Sequence, residues 1–330
     1  MAWLRHLLAG AFTLATLAAL AAGVGWYLAD RYLREPGPLE RQAVVELPRG
    51  SGGVAIAERL AAAGAIEHPQ AFAVLARLTD RDRGLQAGEY AIEPGMSPLQ
   101  ILELLQSGKV VLHPIAVPEG RTVHEVYGIL AASDVLAGEL PPPPAEGTLM
   151  PETYLVPRGE ERARMVERMQ AAMREALGEL WARRLADLPL RTPDEALVLA
   201  SIIEKETALP VEYPLVAAVF HNRLRRGMRL QTDPTVIYGL TGGQGSLGRA
   251  LTRADLEADH PYNTYRIDGL PPGPIANPGR GALSAALAPA PVDFLYFVAN
   301  GDGGHTFATT LAEHNRNVAR WRALQRQAGN

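Results

Sequence analysis

The run LVLASIIEKETALPVEYPLVAAVFHNRLRRGMRLQTDPTVIY, from Leu197 to Tyr238, decides how this chain folds. Its first seven residues are apolar or small and end in a charged trio, Glu204-Lys205-Glu206. Upstream, Thr192 precedes Pro193-Asp194-Glu195, which is a helix start with a capping hydroxyl, proline at the first position and acids in the first turn. The spacing therefore predicts a helix through Glu204, closed by Pro210, and a second helix from Pro214 to about Arg226. A polar loop, Gln231-Thr232-Asp233-Pro234, then leads back into apolar residues. A helix this apolar is a core element. A carboxyl at its end is either half of a structural ion pair or a group with chemistry to do.

On a helix, Glu204 has Leu197, Ala200 and Ser201 as same-face neighbours, a poorly solvating setting that favours the neutral, proton-donating carboxyl. Glu206 has Leu199, Ile202 and Ile203 behind it, so periodicity does not separate the two, and Lys205 could pair with either. A second group of side chains suits a sugar-binding groove: Gln231, Thr232 and Asp233, with Tyr262-Asn263-Thr264-Tyr265 further on. The plainer reading of these is turn chemistry at Asp-Pro and tyrosines that anchor the core.

Working outward, the amino terminus carries an uncharged run from Leu7 to Ala29, flanked by Trp3 on one side and by Trp26 and Tyr27 on the other. At 1.5 Å per residue such a run crosses a hydrocarbon layer of roughly 30 Å. It exceeds the apolar core of a cleaved signal peptide, and only Arg5 offers a basic flank. Residues 30–42 are charged, contain Pro36 and Pro38, and read as a linker. From Ala43, strand, glycine turn and helix patterns recur: a strand at Val44–Leu47, helices at Val54–Ala63 and Pro69–Leu78, a strand at Gly88–Ile92, a helix capped by Ser97, and a strand from Val110 to Val117. Thr122 caps another helix, Pro141–Pro144 form a stiff break, and Gly147–Tyr154 is a loop. Glu160–Leu185 has the pattern of a long amphipathic helix. Beyond Tyr238 loops dominate, up to a strand at Val292–Ala299, a turn at Gly301–Gly304 and a closing helix from Thr309. The fold class is α+β.

Composition narrows the function. In 330 residues the net charge of −4 gives no basic surface for nucleic acid, and the absence of cysteine excludes thiolate chemistry and disulfides. His260, His305 and His314 are scattered, with no HExxH pair, so neither a metal nor another cofactor is expected. No Gly-x-Ser-x-Gly and no phosphate loop is present. The basic cluster Arg223, Arg225 and Arg226 suits a helix carboxyl end without any ligand.

Several long motifs carry a resemblance, in order along nearly the whole chain. They are Gly147–Tyr154, Ser201–Thr207, Gln231–Gly239, Tyr262–Tyr265, Gly269–Ile275 and Gly304–Phe307. Together they resemble the MltG (YceG-like) endolytic murein transglycosylase family. The resemblance implies a membrane-anchored enzyme that cuts the β-1,4 bond between N-acetylmuramic acid and N-acetylglucosamine within nascent peptidoglycan strands and leaves 1,6-anhydro ends. It implies Glu204 as the catalytic acid/base, with Gln231, Thr232, Asp233, Tyr154, Tyr262, Asn263 and Tyr265 holding substrate or supporting the acid. It also implies a short cytoplasmic tail (1–6), a transmembrane helix (7–29), a LysM-like module (43–118) and a catalytic domain (119–330) on the outer side of the cytoplasmic membrane, working beside peptidoglycan synthases. Two other readings stay open: a muramidase using Glu204 and Asp233, and a peptidoglycan-binding adaptor without catalysis.

Overall fold

The computed structural model describes residues 2–328; Met1 of the expected tail and the last two residues of the expected catalytic domain lie outside that range. The chain divides into two compact units, residues 1–113 with 156–159, and residues 114–155 with 160–330. The boundary falls inside the strands Leu112–Ala116 and Thr153–Pro157.

In the first unit a 33-residue helix, Ala2–Arg34, covers the whole uncharged run and is long and apolar enough to cross a membrane. It does not stop at Ala29. Its last turns pack on the rest of the unit, where Leu33 is buried and the Tyr32 hydroxyl donates to the His68 carbonyl at 3.2 Å. The segment expected as a linker continues this packing, since Gly37 N donates to Met96 O and Gly95 N to Leu39 O. Strands Ala43–Leu47 and Gly88–Ile92 pair antiparallel, with Val45 opposite Tyr90. Alternation puts Val45, Leu47, Tyr90 and Ile92 into a core closed by helices Gly53–Ala62, Pro69–Leu78 and Pro98–Ser107. Ser97 and Gln100 form a capping box at the last of these, as its S-P-x-Q sequence dictates. The strand-helix-helix-strand order of the sequence is thus present.

The second unit is built around the helix Pro193–Glu206. Thr192 accepts from Glu195 N at its start, and residues 196–203 are all buried. Helices Arg162–Ala182, Tyr213–Arg225 and Arg280–Leu287 pack around it. Fully burying a Leu or Ile contributes roughly 1.5–3 kcal/mol, so the buried Leu199, Ile202 and Ile203 hold this helix in the core. The helix runs two residues past Glu204, and this brings Glu206 into the fold. Two sequence expectations change here. Asp233 and Pro234 belong to no loop: they begin a helix, Asp233–Thr241, with proline in its first turn, where its missing N–H costs nothing. The stretch beyond Tyr238 also holds short helices at Arg253–Glu257 and Arg280–Leu287. Near the carboxyl end, strands Tyr296–Ala299 and His305–Ala308 form an antiparallel hairpin, followed by the helix Leu311–Ala328.

Candidate active site

The last turn of the central helix presents Glu204 and Glu206 roughly 200° apart, since each residue advances about 100°. They meet different surroundings. Glu204 is half-buried; its Oε1 accepts from the Tyr213 hydroxyl and its Oε2 from Gly279 N, both at 2.9 Å. Glu119 lies close by: burial and the charge of Glu204 push its carboxyl above the ordinary range. Glu119 also fills the space beside Gly279, where any side chain would collide with it. Lys205 donates to Gly120 O at 3.2 Å. This arrangement fastens two loops to the helix end.

Glu206 faces the other way, toward Gln231, Thr232 and Asp233. The Thr232 hydroxyl donates to its Oε1. Burial pushes the Glu206 carboxyl up to about 7; the Thr232 bond opposes this, the Asp233 charge adds to it, and Arg223 opposes it. A cavity of about 670 Å³ opens here, lined by Glu206, Arg223, Gln231, Thr232, Asp233 and Tyr265 together with Tyr296 and His314. It is the size of an ordinary small-molecule site. A second cavity of about 540 Å³ runs along the same short helix, lined by Lys205, Pro234, Ile237 and Tyr238. Glu204 lines neither.

The walls are rigidly held. Thr232, Thr235 and Thr264 are buried and joined: Thr232 N donates to Thr264 Oγ1 at 3.0 Å, Thr235 Oγ1 donates to Thr232 O at 2.8 Å, and the hydroxyls of Thr235 and Thr264 lie 2.9 Å apart. Gln231 adopts φ +52°, a conformation that costs a non-glycine residue about 1–2 kcal/mol. Its N–H donates to Thr264 O at 3.2 Å, and Arg223 reaches its Oε1 at 3.4 Å. Such strain persists where the surroundings over-determine it, and it clusters at functional sites. Tyr265 donates to Asp233 Oδ1 at 2.6 Å, which orients that carboxylate.

Of the residues picked from sequence, Gln231, Thr232, Asp233 and Tyr265 therefore gather around Glu206. Glu204 sits at the separate cluster described above, and Tyr154, Asn263 and Tyr262 are held by other contacts. Tyr154 is buried, with its hydroxyl donating to Met150 O at 2.7 Å. Asn263 caps the helix Arg253–Glu257 through Leu256 O and Ala258 O. Tyr262 packs on Tyr238 with ring centroids 4.9 Å apart. Sequence reasoning missed Arg223. Instead of serving the helix dipole it is buried, donating to Leu295 O at 2.7 Å and Leu230 O at 2.8 Å, and so shapes the chain that enters the cavity. The available signal was its position: helical spacing puts it on the same side as the buried Val216, Val219 and Phe220.

The chain is similar to known proteins over most of its length. The endolytic murein transglycosylase of Bacillus subtilis (strain 168) is 31% identical, over 88% of this chain and 89% of that protein. The endolytic murein transglycosylase of Streptococcus pneumoniae (strain ATCC BAA-255 / R6) is 30% identical over 92% of this chain, which spans only 63% of that longer protein. The crystal structure of a yceG-like protein from Listeria monocytogenes superposes with a TM-score of 0.49 at 31% identity, covering 84% of this chain and 99% of that one. The match to the YceG-like family runs over residues 45–320, so the central helix, the threonine clamp and the closing hairpin all lie inside it, and the chain belongs to that family.

Proposed function

We propose that this protein is an endolytic murein transglycosylase whose general acid/base is Glu206, two residues beyond the glutamate singled out by sequence. One observation carries the assignment: Glu206 lines the cavity beside Gln231, Thr232 and Asp233 and accepts from the Thr232 hydroxyl; burial raises its carboxyl to about 7, which suits a proton donor near neutral pH. Glu204, by contrast, is engaged by Tyr213 and the Gly279 N–H and lines neither cavity.

The reaction then needs a single carboxyl. Glu206 protonates the oxygen leaving the anomeric carbon of N-acetylmuramic acid, and the C1–O bond breaks. The C6 hydroxyl of the same sugar attacks C1 and returns its proton to Glu206, which closes a 1,6-anhydro ring. Because the nucleophile is intramolecular, no water has to be positioned. The Asp233 carboxylate, oriented by Tyr265, helps keep Glu206 protonated and stabilises positive charge developing at C1. Two cavities along one short helix suit a strand that continues on both sides of the cut. The Ala2–Arg34 helix would anchor the enzyme in the cytoplasmic membrane, with the second unit outside and synthases as neighbours.

The test is mass spectrometry of products from purified glycan strands. Wild type and Glu204→Gln should release 1,6-anhydro-muramic ends, and Glu206→Gln none. A fully active Glu206→Gln beside an inert, folded Glu204→Gln would return the role to Glu204. Reducing ends from wild type would make the enzyme a muramidase with Asp233 as its second carboxylate.

A further inference from the structure

A cavity of about 530 Å³ lies within the first unit. One wall is the end of the apolar helix, from Ala22 and Gly25 through Trp26 to Asp30 and Arg34; the other is Leu75, Leu78 and Leu99, edged by Thr79 and Arg81. The helix wall begins inside the uncharged run: Ala22 precedes Ala29 by seven residues, or about 10 Å of helix. Side chains of the folded module therefore reach the depth of residues expected in lipid. The Pro69–Leu78 helix is apolar on both sides. Phe72 and Ala76 are buried in the core, whereas Val74 and Leu78, one turn apart, are 56% and 73% exposed. Exposed apolar side chains on a helix beside a membrane span are the mark of an interfacial element.

We infer that the module docks on the membrane surface through Leu78 and this cavity, which takes the acyl chain of a phospholipid. The inference rests on the anchor reading above. Three features select the occupant. The apolar lining is continuous with the span. Trp26 sits where interfacial aromatics belong. Arg34 and Arg81 stand at the wall, available to a phosphate, because their pairs with Asp30 and Glu103 are exposed and therefore weak. Docking of this kind would hold the module flat against the bilayer.

The absence of cysteine makes the test direct. Single substitutions Leu17→Cys, Leu78→Cys and Glu58→Cys in the full chain are labelled with an environment-sensitive fluorophore and reconstituted in phospholipid nanodiscs containing spin-labelled acyl chains. All three sites are exposed, so the label does not disturb a core. Position 17 reports the span, position 78 the proposed contact, and position 58 solvent. The expected result is a blue shift and a loss of fluorescence at 78 comparable to those at 17, with 58 unaffected. Loss at 17 with position 78 behaving like 58 would overturn the inference and leave the anchor standing. No loss at 17 would sink the anchor reading, and the docking with it.

Discussion

A carboxyl kept protonated near neutral pH weakens the fold once the same group ionises freely in the unfolded chain, and Glu206 makes that cost measurable. Its pKa is raised from an ordinary 4.5 to about 7. The folded protein therefore binds a proton that the unfolded chain has lost across this window, and stability falls as pH rises from one value to the other. The whole difference corresponds to roughly 3 kcal/mol. Glu206→Gln removes the titration. Its thermal midpoint should match wild type at about pH 4 and exceed it at about pH 8, by a gap that opens between 4.5 and 7. A constant offset across that range would show that the carboxyl is not shifted. Activity should follow the same proton: kcat/KM of wild type on glycan strands should decline above about pH 7, about tenfold per unit. A profile still rising past pH 8 would mean that another group supplies the acid. That two glutamates two residues apart could not be separated from sequence has a plain cause. Both have apolar neighbours one turn back, and what distinguishes them is where Thr232 and Asp233 arrive from 26 residues away.

At the scale of elements, caps and apolar periodicity were legible because they act within one turn: the Ser97, Thr122 and Thr192 caps all hold their helices. The helix Asp233–Thr241 was not, since Asp-Pro signals a turn as readily as a helix start and only the threonine clamp decides between them. Nor was the tie between the central helix and the hairpin. Glu212, in the 3₁₀ turn Pro210–Glu212, accepts from the Thr207 hydroxyl at 2.8 Å and from both the backbone N–H and the Nδ1 of His305, each at 2.7 Å. Burial pushes its carboxyl up, but these bonds to His305 and Thr207 outweigh burial and hold it below the ordinary range. Removing one partner of a buried network strands the others. Glu212→Ala should therefore cost about 3 kcal/mol, seen as a lowered thermal midpoint, with Glu212→Gln closer to wild type. A loss under about 1 kcal/mol would reduce the network to surface decoration.

For the whole molecule, the apolar helix and the folded module are joined without slack, and this has consequences for truncation. Leu33 and Leu39 belong to the module's core, and Gly37 and Leu39 are hydrogen-bonded to Met96 and Gly95. Gly37 also allows a close approach, because a side chain there would strike the Met96 carbonyl. A chain beginning at Asp30 keeps all of these contacts and loses residues of the apolar helix that are exposed apart from the part-buried Ala29; one beginning at Ala43 loses the buried Leu33. Truncating a buried leucine typically costs 2–5 kcal/mol, of which the loss of solvent exclusion alone accounts for roughly 2. Both shortened chains should leave the membrane fraction. The first should unfold at the wild-type midpoint in mild detergent, whereas the second should unfold several degrees lower, with the difference confined to the first unit. Hydrogen exchange would localise it: amides of Val45, Tyr90 and Ile92 should exchange faster only in the shorter chain. Equal midpoints and equal protection in both would mean that residues 30–42 are a passive tether, and the module's fit against the anchor would then have no energetic basis.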